Sequence, residues 1–259
     1  MAAPKSRGQL PHLPYPEMNV TRTINAHRAS AGGTGLLTEL VAWWDLNETS
    51  GSLASDAHGS NDGTVTGATI NVAGKIDKCY SFDGSADSVD VGSWFDLSND
   101  DFSISLWVNI NSITTNKYAA MGFSQSGNVG EPYWLFMHRA DKGGWTLQSD
   151  VGLNALATWP TISTGASAGT WDHLVLVRNR TAGSLSIWRN GTEYKDSSFN
   201  PTFDADHDLG TLHIGNWYSG GNLSFAGKID EVGIFSKALT ADEVSDLYNS
   251  GAGITYGDL

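Results

Sequence analysis

The sequence predicts an all-β protein: two antiparallel sheets packed as a sandwich, one short helix near the C-terminus, and an extended arm at the N-terminus. Three observations carry this prediction. Short apolar or alternating runs recur from Leu36 onward, separated by clusters of Gly, Asn, Asp and Ser. The 259 residues include 30 glycines against seven prolines, a composition rich in tight turns. Helical periodicity is convincing only between residues 240 and 251.

The arm comes first. Residues 1–35 hold four of the seven prolines (Pro4, Pro11, Pro14 and Pro16), few large aliphatics and no sustained periodicity. Proline fixes φ and restricts its predecessor, so Pro11–Pro16 is expected to be extended, and 31–35 (Ala-Gly-Gly-Thr-Gly) reads as a hinge. Charge divides close by. Up to residue 40 there are four basic and two acidic residues, a net of +2. The rest has 11 basic and 26 acidic, a net of −15. The expected organisation is therefore an arm, 1–35, and one β domain, 36–259.

The strands follow in order. Phe102, Ile104, Leu106, Val108 and Ile110 alternate with Ser103, Ser105, Trp107 and Asn109, the mark of a half-buried strand. Trp171–Arg178 is apolar on both faces and should be central. Ser184–Gly191 ends in Asn190-Gly191, a strong hairpin signal, with Glu193–Lys195 as the returning strand. Leu209–Gly215 and Phe225–Phe235 are two more. The helix opens on Thr240-Ala-Asp-Glu243, a capping box. Val244, Leu247 and Tyr248 then share one face, and Gly251 offers an end. Gly-Lys-Ile-Asp occurs at 74–77 and at 227–230, read as chance or as two sheet neighbours.

Several function classes fall on composition. At 40% hydrophobic residues the chain can bury a core, which excludes wholesale disorder. A lone Cys79 excludes a disulfide scaffold. The longest strictly apolar run, Leu40–Trp44, is far short of the roughly 20 residues of a membrane helix. A net charge of −13 without a basic stripe argues against nucleic acid. The N-terminal residues lack the apolar segment of a secretory leader.

The ordered motifs resemble the laminin-G-like, concanavalin A-like jelly-roll domains. The resemblance runs from Leu36 to Tyr248 through Leu40–Gly51, Asp56 with Asn61–Gly63, Phe82–Gly84, Asp101–Trp107, Trp171–His173, Trp188–Gly191, Phe225–Val232 and Ala238–Val244. It implies two curved sheets whose concave face and rim loops bind sugars, proteins or Ca²⁺ in relatives. Glycoside hydrolases of this fold carry Glu-x-Asp-x-x-Glu on one strand, which this sequence lacks. Asp230 and Glu231 are adjacent, so on a regular strand they would point to opposite faces and serve as a structural mark. Asp100-Asp101 reads as a turn cap. There is no Gly-x-Ser-x-Gly, His-Glu-x-x-His or phosphate loop. His173 reads as a core or interface histidine, and Cys79 as a buried thiol.

Candidate sites are therefore for binding. The resemblance makes Asp56, with the Gly59–Gly63 turn, and Asp230 candidate ligands of one structural Ca²⁺; the alternative is that Asp56 caps its own loop. Asp204, Asp206 and Asp208 form a second acidic candidate. For a sugar, aromatic platforms are sought among Tyr133-Trp134, Trp145 and Trp217-Tyr218, which lie in or beside Gly-rich loops. Trp43, Trp107 and Trp171 read as packing residues. The expected function is a non-catalytic virion protein, of capsid-decoration or fibre type, at the virion surface. Residues 1–35 would dock on a capsid or other shell protein, and the jelly roll would face cell-surface glycans, with homo-oligomer assembly as a further expectation. The alternatives are a free extracellular carbohydrate-binding module and a glycoside hydrolase or lyase.

Overall fold

The computed structural model describes residues 35–94, 101–114, 118–124, 133–150, 156–157, 165–195, 210–217 and 223–259. The arm and its docking expectation lie outside them, as do Tyr218 and the acidic residues 204–208. In chain order the strands are β1 (Leu40–Trp44), β2 (Leu53–Ala54), β3 (Gly63–Thr66), β4 (Thr69–Ala73), β5 (Lys78–Asp83), β6 (Ser88–Gly92), β7 (Phe102–Ile110) and β8 (Tyr118–Ser124). There follow β9 (Tyr133–Arg139), β10 (Gly144–Asp150), β11 (Leu156–Ala157), β12 (Trp171–Asn179), β13 (Ser184–Arg189), β14 (Thr192–Lys195), β15 (Thr211–Ile214) and β16 (Ala226–Phe235).

Sheet A runs β14-β13-β12-β7-β16-β5-β4, with β1 also on β16; sheet B runs β11-β10-β9-β8-β15-β6-β3-β2. Every strand pairing is antiparallel, giving the jelly-roll sandwich. The facing read for β7 holds, with Phe102, Ile104, Leu106, Val108 and Ile110 toward the inter-sheet core, but the strand is not half-buried: Ser103, Ser105 and Trp107 on its other face are buried as well. β12 is central, between β7 and β13. Asn190 and Gly191 take φ of 51° and 77°, the left-handed pair that a tight hairpin turn requires.

The outer face of sheet A is closed. Thr240 caps the C-terminal helix (Ala241–Tyr248) through the expected box with Glu243. The helix ends on a left-handed Asn249 rather than at Gly251, because asparagine tolerates that conformation. Val244 and Leu247 pack with Leu36, Trp43, Val175, Val177, Phe235 and Leu259 in a second core on that face. Each such side chain contributes about 1.5–3 kcal/mol on burial, enough to hold so short a helix in place.

β16 changes neighbour midway. Its first half pairs with β5 and its second half with β1. The changeover is a bulge after Asp230, with Glu231 at φ 48°. This corrects the expectation of opposite faces. Asp230 lies opposite Trp107, and Glu231 accepts the indole N–H of Trp43 at 2.7 Å, so both carboxyls sit on the outer side of sheet A. The two Gly-Lys-Ile-Asp copies also meet, because Asp230 of the second accepts the backbone N–H groups of Lys75 (2.8 Å) and Ile76 (3.0 Å) in the first. Gly74 makes room for this: a Cβ there would stand 2.3 Å from the Lys78 carbonyl oxygen and 2.7 Å from the Asp230 carboxylate.

Candidate ligand-binding face

The C-terminal helix packs on the outer face of sheet A; on the outer face of sheet B the Thr64–Asp90 end is exposed, while Ala119, Leu135, Met137 and His213 are buried. Strand register builds a row across that face. Thr64 on β3 lies opposite Asp90 on β6, Asp90 opposite His213 on β15, His213 opposite Gly122 on β8, and Gly122 opposite Leu135 on β9. The alternation is legible in each strand. Val89 and Val91 flank Asp90 and point inward, as Leu212 and Ile214 do beside His213.

The row runs from polar to apolar. Thr64 and Asp90 are exposed. One Asp90 oxygen accepts the Gly92 N–H at 3.0 Å, and the carboxylate retains further acceptor capacity. His213 is buried, and its Nδ1 has no partner among the described residues. Burial pulls its pKa below the usual imidazole value, against the opposing charge of Asp90, so the ring is held neutral at physiological pH. Gly122 is a floor with no side chain, and Trp217 lies across it. A Cβ on Gly122 would fall 2.6 Å from Trp217 Cα and 2.9 Å from Leu135 Cδ2. Trp217 packs there with Ala119, Leu135 and Met137. Its loop is fixed by the buried Asn216, which accepts the Trp217 N–H at 2.9 Å and donates to Ser224 Oγ at 3.1 Å.

The sequence candidates scatter. Trp134 and Trp145 point into the inter-sheet core, where Trp134 stacks on Phe123 and Trp145 meets Phe136 edge-on. They present no ring face to solvent, so the expectation of platforms at these two is corrected to packing. Trp217 does stand on the sheet B face, but at 8% exposure it is a wall rather than an open platform. Tyr218 lies outside the described residues. Sequence reasoning passed over Asp90 and His213, although both are polar positions in apolar alternation.

The carboxylates offered for Ca²⁺ are engaged otherwise. Asp56 Oδ1 accepts the N–H groups of Trp43 (3.0 Å), His58 (3.1 Å) and Gly59 (3.0 Å), while Oδ2 accepts the backbone and side-chain N–H of Asn61, each at 3.0 Å. Burial alone would raise its pKa, but these donors outweigh it and hold Asp56 below the usual carboxylate range. Five N–H donors are the cap of a loop and do not fit a cation that needs six to eight oxygens. Asp230 has one oxygen on the 75–76 backbone and the other without a partner among the described residues. Among those residues no group of three or more His, Cys, Asp or Glu could hold a metal.

Two other polar pairs are sealed. Burial pushes Asp230 up to about 7. Burial and the neighbouring Asp230 charge push Glu231 up to about 9. Ser105 Oγ lies 2.9 Å from His173 Nε2, but both residues are buried, and the imidazole packs in a three-ring cluster with Trp107 and Tyr248, which also stack on each other. Burial takes His173 down to about 3. Neither pair reaches solvent, where a polysaccharide would have to meet it.

A family model of the concanavalin A-like lectin/glucanases superfamily matches residues 83–245, more than half of the chain. No curated protein matches it. Among solved structures it is similar to domain 4 of AbnA, an extracellular arabinanase from Geobacillus stearothermophilus, in complex with arabinotriose. That likeness is 21% identical over 83% of this chain and 98% of the other, with a TM-score of 0.58. It is similar to Trypanosoma rangeli sialidase at 14% identity and TM-score 0.61, over 84% of this chain but 34% of the sialidase. The ligand-binding domain of botulinum neurotoxin serotype D, in complex with N-acetylneuraminic acid, matches at 18% identity and TM-score 0.58, covering 83% of this chain and 52% of that one. At these identities the likeness is one of fold.

Proposed function

We infer that this chain, which belongs to the concanavalin A-like lectin/glucanases superfamily, is a non-catalytic glycan-binding module that uses the outer face of sheet B. The observation that carries the reading is a row on the face away from the C-terminal helix, exposed at Thr64 and Asp90 and floored by buried His213 and Gly122 beside Trp217. A sugar presents hydroxyls and an apolar C–H face. Asp90, exposed beside Thr64, accepts the hydroxyls, while buried His213, Gly122 and Leu135 form the floor of the row and the edge of Trp217 stands at its apolar end. The arabinotriose complex of one neighbour and the N-acetylneuraminic acid complex of another support a sugar as the ligand class. A glycan array probed with the intact chain tests the reading. Binding weakened by Asp90→Asn, an exposed position whose change leaves the core alone, supports it; binding unaffected by that change, or a blank array, overturns it.

The setting we propose is a virion surface, with residues 1–35 tethering the domain to a shell protein. Its support is the division of charge between the proline-rich N-terminal stretch, net +2 over residues 1–40, and residues 41–259, net −15. Deleting 1–35 should leave the domain folded and glycan-binding but absent from the particle. Full incorporation of the truncated chain would favour the free carbohydrate-binding module instead. Turnover on a polysaccharide panel would restore the enzyme reading.

A further inference from the structure

We propose that the sheet B face selects uncharged glycans and rejects those ending in a carboxylated sugar such as N-acetylneuraminic acid, an inference that rests on the glycan-binding reading above. Recognition of a sugar carboxylate calls for a guanidinium, an ammonium or a set of convergent N–H donors. The strands of sheet B carry only three charged residues: Asp90, Arg139 and Asp150. Arg139 is engaged, its Nε and Nη2 bonding the two oxygens of Asp141 at 3.0 and 2.7 Å. The remaining titratable group in the row, His213, is neutral because it is buried, so it supplies no positive charge. Among the described residues of the row the exposed charged group is Asp90, and residues 41–259 carry a net charge of −15. A second carboxylate brought beside Asp90 is repelled by the site and by the wider field. An uncharged sugar lacks that penalty, and its hydroxyls donate to Asp90 in charge-assisted hydrogen bonds.

The test compares two probe sets on the intact chain, by calorimetric titration or surface plasmon resonance. One set is uncharged oligosaccharides, with arabinotriose among them; the other is N-acetylneuraminic-acid-terminated oligosaccharides. The uncharged set should bind with a Kd that changes little between low and high salt, and the carboxylated set at least roughly tenfold more weakly. Asp90→Asn should weaken uncharged binding and narrow the gap between the sets. Equal or tighter binding of the sialylated probes overturns the selectivity while leaving the glycan-binding reading in place. Silence from both sets overturns both.

Discussion

Glu231→Gln should remove a large alkaline loss of stability. The folded protein holds Glu231 protonated up to about 9, against an ordinary 4.5, because the carboxyl is buried beside Asp230. A folded-state pKa raised in this way means that the native state binds a proton the unfolded chain has already lost, so stability falls as pH climbs from 4.5 to about 9. At about 1.4 kcal/mol per pH unit, the full span is worth about 6 kcal/mol, of which about 3 kcal/mol falls between pH 7 and 9. Asp230 contributes with the same sign but only up to about 7, so the upper limb belongs to Glu231. Glutamine keeps an oxygen for the Trp43 indole N–H and carries no proton to lose. Urea unfolding of both proteins at pH 5.5, 7, 8 and 9 reads the difference. The wild type should lose about 3 kcal/mol more than the variant between pH 7 and 9. Equal losses would refute the buried, protonated Glu231.

Other outcomes follow from the same contacts. Asp56→Ala strands the N–H donors of residues 43, 58, 59 and 61 and should cost about 3–5 kcal/mol in chemical denaturation, with no change on adding Ca²⁺ to the wild type. The His173 ring should stay neutral well below pH 6.5 in an NMR titration, since burial holds its pKa at about 3; stability that depends on the neutral ring is present above 6.5 and lost as pH falls towards 3. Thr240→Ala breaks the capping box and should cost about 1 kcal/mol, read as a small drop in Tm. Gly122→Ala should push Trp217 off the sheet and lower both stability and glycan affinity; affinity unchanged would detach Trp217 from the site.

Much of the fold was legible because its signals are local. The Phe102–Ile110 alternation, the Asn190-Gly191 turn and the Thr240 capping box each act within a few residues, and each stands where expected. The orientation of Trp134 was not legible, because Trp134, Leu135, Phe136 and Met137 are apolar on both phases of the strand and buried on both faces. Trp145 had a signal, since polar Thr146 separates it from Leu147, but the adjoining Gly143-Gly144 drew the reading toward a loop. The shared face of Asp230 and Glu231 depends on the bulge where β16 exchanges β5 for β1, a property of three strands at once. The site was hidden for a similar reason. Asp90, Gly122 and His213 are distant in sequence, and only register joins them.

The central claim is one of place, that a sugar binds across sheet B. Backbone and side-chain chemical shifts of the intact protein, followed while an uncharged oligosaccharide is titrated in, test it most directly. The account predicts shifts concentrated at Thr64, Asp90, Gly122, His213 and Trp217. Shifts centred instead on the opposite face, around Trp107, His173 and Tyr248, would contradict it.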